Sequence, residues 1–125
     1  MNAPEKLILP SVRIGLIAGR LVNQAEQLET FAMLMEAGGP VQTENNQVAL
    51  GRALTMASRD AHGCGGSAQD WAERIGKLAA HVNNSADQFD RYGTWSPSEI
   101  REVAQHLRML SRLKPETYRD NGDAA

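Results

Sequence analysis

The sequence is poor in the residues that mark most specialised proteins. It has one cysteine among 125 residues, so no disulfide can form within the chain, and a reducing compartment suits it. Aromatic residues make up 5%, and none is interleaved with the arginines Arg101, Arg108 and Arg112, as a platform on which nucleic-acid bases stack would require. No stretch approaches the ~18 consecutive apolar residues of a membrane span. The N-terminal "MNAPEKLILPSVRIGLIAGRLV" has an apolar bias, but Pro10 divides it and Arg13 and Arg20 interrupt it. It lacks the charged lead and unbroken apolar run of a signal peptide, so a cytoplasmic protein without membrane contact is expected. Charge of one sign is also missing. Lys and Arg number 13 against 15 Asp and Glu, a formal −2, which provides no global basic field to capture nucleic acid.

What is present describes one ordinary globular domain. Apolar residues are 42% and charged residues 22%, enough for a core without metal or disulfides. Strand patterns are nearly absent, and four segments have helical periodicity. The first runs from Ser11, read as its N-cap, to about Ala37. Ile14, Ala18, Leu21, Ala25, Leu28, Ala32 and Met35 recur at 4-3-4-3-4-3, the seam of a helix packed lengthwise on another. Ile17 and Phe31 widen that stripe, and Gly38-Gly39-Pro40 stops the helix. The second segment starts near Asn45 or Asn46 and runs to about Ala61, with Leu50, Leu54, Ala57 and Ala61 as its apolar positions. Gly51 weakens it. The third opens at Ser67 and runs to about Tyr92-Gly93, with Trp71, Ile75, Leu78, Val82, Ser85 and Phe89 in register. The fourth begins in "WSPSEI": Ser96 caps, Pro97 takes the first helical position, Glu99 completes a capping box, and Trp95 and Ile100 form a hydrophobic staple. Ile100, Val103, Leu107 and Leu110 make its stripe, and Lys114-Pro115 ends it. Short connections favour antiparallel neighbours. The expected fold is an all-α bundle of about four helices, two long and two shorter. It occupies 11–114, between an N-terminal extension at 1–10 and a flexible tail at 115–125.

The candidate sites are few. "AHGCGGS", Ala61 to Ser67, holds the only cysteine. His62 and Cys64 are two ligands where zinc needs three or four. The glycines do not form a phosphate loop, and the stretch reads as a joint between helices, with a thiol near a helix start as the reactive alternative. Gly15 to Gly19, "GLIAG", has the small-xxx-small spacing that lets two helices cross closely, with a ligand pocket as the alternative. His81 and His106 each stand near an apolar stripe and read as packed or half-exposed. No carboxylate–histidine pairing of di-iron type and no Ser/His/Asp arrangement is present. Neither cofactor nor metal is expected, and the chain is not read as an enzyme.

Two surface features remain. Arg101, Arg108 and Arg112 fall within about 40° of one another on a helix of 3.6 residues per turn, with Gln105 between them. This face could meet an anion or an acidic partner, or be a solvated row completing the helix dipole. The first helix also carries Leu16, Val22, Met33 and Leu34 away from its main seam. A helix apolar on several sides is either wrapped by its neighbours or shared between chains. The expected function is protein–protein binding by a small homo-oligomeric regulator, adaptor or inhibitor, of a kind that a phage or mobile element encodes. Nucleic-acid binding through the last helix and capture of a phosphate-containing ligand are the alternatives.

Overall fold

The computed structural model describes residues 9–38, 43–86 and 95–115. Four helices account for nearly all of them: α1 (Pro10–Glu36), α2 (Thr43–Cys64), α3 (Ala68–Ala86) and α4 (Pro97–Arg112). No strand occurs among the described residues, and the molecule is an all-α helical bundle. Most of the expected N-terminal extension and C-terminal tail lies outside the described residues, as do 87–94, onto which the third helix was expected to run.

The buried stripe of α1 is the one its periodicity predicts. Ile14, Ile17, Ala18, Leu21, Ala25, Leu28 and Ala32 are all buried, and Phe31 and Met35 pack partly against them. The start differs by one residue. Pro10, not Ser11, begins the helix, and Leu9 holds the N-cap position without a side-chain cap. Proline lacks an N–H and has its φ preset, so it takes the first helical position readily and displaces the serine inward. At the other end Gly38 adopts φ +82°, the left-handed conformation that closes a helix. α2 is longer than its weak pattern suggests, with 22 residues against 27 in α1, 19 in α3 and 16 in α4. It passes through His62 and Gly63 to Cys64, and the turn is made by Gly65 and Gly66 at φ +71° and +52°.

Neighbouring helices run antiparallel. Arg20 and Arg13 of α1 lie beside Asp60 and Gly63 of α2, descending one helix as the other rises. Between α2 and α3, Ser58 Oγ donates to the Ala72 carbonyl at 2.8 Å and Asn83 Nδ2 to Thr55 Oγ1 at 3.5 Å. α2 packs closely on α3 and α1 on α4, whereas the backbones of α3 and α4 stand apart. The close α2–α3 approach is where small residues matter. A Cβ on Gly51 would collide with the Asn83 side-chain oxygen, and one on Gly76 would sit 3.1 Å from Ser58 Oγ. The "GLIAG" pair does not serve this purpose, contrary to expectation. A Cβ on Gly15 or Gly19 would meet nothing within 4 Å, because both glycines face outward from α1.

The start of α4 is as its sequence states. Glu99 N donates to Ser96 Oγ at 3.2 Å, and Ser96 N donates to Glu99 Oε1 at 2.9 Å. Trp95 and Ile100 are both buried behind this box. Ser96→Ala is expected to lower stability by about 0.5–2 kcal/mol, the usual cost of losing an N-cap. A urea melt with a lower midpoint and an unchanged slope is the expected result.

Candidate functional site

The outer surface of α1 is the first part of the candidate site. Leu16 is 51% exposed, Met33 62% and Leu34 46%, so the bundle does not wrap this helix. Val22 differs: it is half-buried, and it falls seven residues before Glu29, on the edge of α1 that borders α4. Leu9 and Val12 are exposed as well. With Leu16 and Gly19 they form a row at 3-4-3 spacing, a second seam exposed among the described residues. Leu34 lies five turns further on, about 27 Å from Leu16.

The arginine face of α4 has its acidic partner inside the molecule. Arg108 Nε and a terminal guanidinium nitrogen donate to the two oxygens of Glu29 at 3.0 and 2.6 Å. Arg101 donates to Glu36. Glu29 and Glu36 are seven residues apart, as are Arg101 and Arg108, so antiparallel helices align the two pairs as rungs. These pairs occupy two of the three guanidiniums expected to face an external anion, and leave Arg112 and Gln105 exposed. The Arg108 guanidinium hydrogen-bonded to Glu29 holds that carboxyl below its ordinary range, against a smaller opposing effect of burial. A depressed folded pKa contributes stability above the unfolded value of about 4.3 and loses it as pH falls through the folded one. Glu29→Gln is therefore expected to reduce the fall in melting temperature between pH 7 and pH 3.

Cys64 is not an activated thiol. It ends α2 rather than starting α3, is buried, and lies 3.5 Å from the Asp60 carbonyl. Burial raises its pKa, and Arg13 offsets this only in part. The helix-start position that would favour a thiolate belongs to Ser67, three residues on. Among the described residues no group of three or more His, Cys, Asp and Glu is placed to hold a metal ion, and no helix is long and apolar enough to cross a membrane.

The parted seam between α3 and α4 makes the second part of the site. A recess of about 530 Å³ runs along it and continues into one of about 210 Å³. His81 and His106 line both recesses, together with Leu78. The fold thus unites two histidines that are 25 positions apart in the sequence. Leu110, Val103 and Trp95 form the buried apolar floor, and Met109 and Leu113 stand exposed on the rim. Sequence reasoning missed this groove. Its signal is the i, i+3, i+7 row His106, Met109 and Leu113 on α4, beside the main stripe. No family model matches the chain, and no curated protein or solved structure matches it.

Proposed function

We propose that this protein works without catalysis, by binding protein chains through the outer face of α1, and that it forms homo-oligomers by that route. The observation that carries this reading is the exposed row of Leu9, Val12 and Leu16 with Met33 and Leu34 beyond it. Scattered surface leucines need no explanation, but a row at helical spacing is the form in which a helix meets a partner. The reading includes a cytoplasmic setting, which a single buried thiol suits. A regulator, adaptor or inhibitor acting by occlusion or recruitment fits a bundle of this size. Direct nucleic-acid or phosphate binding is disfavoured because Arg101 and Arg108 are engaged with α1.

The test is the double variant Leu16→Glu, Leu34→Glu. Both side chains are about half exposed, so the variant is expected to keep its helical content and melting temperature. A charge at a desolvated contact has no partner and is expelled, so particle mass should fall to 13.6 kDa and captured partners should be lost. A folded double variant with wild-type mass and wild-type binding refutes the reading.

A further inference from the structure

We infer that the groove between α3 and α4 receives the N-terminal part of α1 from a second copy of this chain, giving head-to-tail assembly. This rests on the proposal that the α1 face is a protein contact, and adds what that face meets. The exposed apolar side chains among the described residues include Met33, Leu34, Val48 and Met56, and two further sets that differ in shape: the row Leu9, Val12 and Leu16 on α1, and Met109 and Leu113 at the α3–α4 groove. One is a ridge and the other a recess. The row from Leu9 to Gly19 spans about 15 Å, and the groove wall from Asp70 to His81 about 16 Å. Gly15 and Gly19 remove side chains next to the ridge, with open space above both. A glycine inside a helix costs about 1 kcal/mol relative to alanine, and no neighbour among the described residues requires either one. Close approach of a second backbone would use both.

The charges of the two surfaces are opposite. From Pro10 to Ala25 the only charged side chains of α1 are Arg13 and Arg20. They flank the ridge, with Asp60 of α2 lying 3.9 Å from Arg20. The groove is lined by Asp70, Glu73, Glu99 and Glu102 against Arg74 and Lys77. Asp70 holds Arg74 at 3.1 Å and the larger recess is balanced, so the acidic excess is that of Glu99 and Glu102 in the smaller recess. A ridge-to-ridge contact would gather arginines, and a groove-to-groove contact would gather carboxylates. Arg20 is partly offset by Asp60, and the ridge in the groove of another copy sets Arg13 and Arg20 against Glu99 and Glu102. Such a contact uses different patches on the two chains, so it either closes into a ring or extends as an open chain.

Mixing two variants of the full chain tests this contact. Leu16→Glu spoils the ridge and leaves the groove intact; Met109→Glu spoils the groove and leaves the ridge intact. Both positions are exposed, and circular dichroism checks folding. Should either variant misfold, Val12→Glu replaces the first and Leu113→Glu the second. By light scattering the wild type is expected above 13.6 kDa and each variant alone at 13.6 kDa. An equimolar mixture should give a particle of twice that mass and no larger, because one intact ridge then meets one intact groove. Raised salt should weaken the wild-type assembly, since the rim charges are exposed. If Met109→Glu assembles like the wild type while Leu16→Glu does not, the α1 reading stands and the groove contact is wrong. A mixture that stays at single-chain mass also overturns the groove contact, as does a wild type that is monomeric throughout. If both variants assemble like the wild type, neither the groove nor this end of α1 is the contact.

Discussion

Trp71→Ala is expected to lower stability by about 3–5 kcal/mol, the usual range for truncating a large buried aromatic. Trp71 is 2% exposed and is the largest fully buried side chain of the bundle. Its indole Nε1–H donates to the Leu110 carbonyl at 2.7 Å. That carbonyl belongs to the last turn of α4, where backbone acceptors lack helical donors. The tryptophan therefore joins α3 to α4 at the point where their backbones stand apart, and closes the end of α4 with a side chain from another helix. Trp71→Phe separates the two contributions. It keeps most of the apolar volume and removes the N–H. The Leu110 carbonyl still accepts from Leu113 N at 3.1 Å, so losing the indole bond should cost only about 1 kcal/mol. Urea denaturation followed by circular dichroism measures both. A loss under 1 kcal/mol for Trp71→Ala would contradict its place in the core.

Periodicity made the buried faces legible, because which side of a helix is apolar is a local property. Ile14 to Ala32 on α1 and Ile100 to Leu110 on α4 needed nothing beyond spacing. The capping box at Ser96 was equally readable, since every atom in it lies within four residues. Which helix each face meets was not local. The partners of Arg101 and Arg108 lie 65 and 79 residues away, and a helical wheel of α4 alone shows only an outward basic row. The matching seven-residue spacing of Glu29 and Glu36 was the available clue. Glycines misled for the same reason. Gly51 looked like a weakness and Gly15-Gly19 like a crossing, yet Gly51 and Gly76 make room for neighbours while the other two face open space. The α3–α4 groove depends on two backbones failing to approach, which no single segment encodes. Of the expected interaction residues, Leu16, Met33 and Leu34 were visible as apolar positions off the seam. Val22 shared that property, but it borders the α4 edge.

Gln47→Glu is expected to be more damaging than the loss of Trp71, and its effect should depend on pH. Gln47 is 1% exposed, and neither Nε2 nor Oε1 has a hydrogen-bond partner among the described residues. It takes the seam position three residues before Leu50, in the row Leu50, Leu54, Ala57 and Ala61. A polar side chain at one seam position selects register at a cost in stability. Here the cost is an unsatisfied amide, so Gln47→Met should raise stability by about 1–3 kcal/mol. The carboxyl introduced by Gln47→Glu fills nearly the same volume but ionises. Full burial raises a carboxyl pKa by about 3–5 units, which at ~1.4 kcal/mol per unit is a loss of about 4–7 kcal/mol once the group is charged in the unfolded chain. That approaches the whole stability of a domain of this size, about 5–15 kcal/mol. The folded pKa is raised, so the loss is absent below the unfolded value near 4.3, grows as pH rises from there, and levels off above the folded pKa. Gln47→Glu should therefore fold about as well as the wild type at pH 4 and be largely unfolded or strongly destabilised at pH 7.5. Thermal melts across that range measure it. A pH-independent difference from the wild type would mean that the position is hydrated, and that the amide of Gln47 has water for a partner.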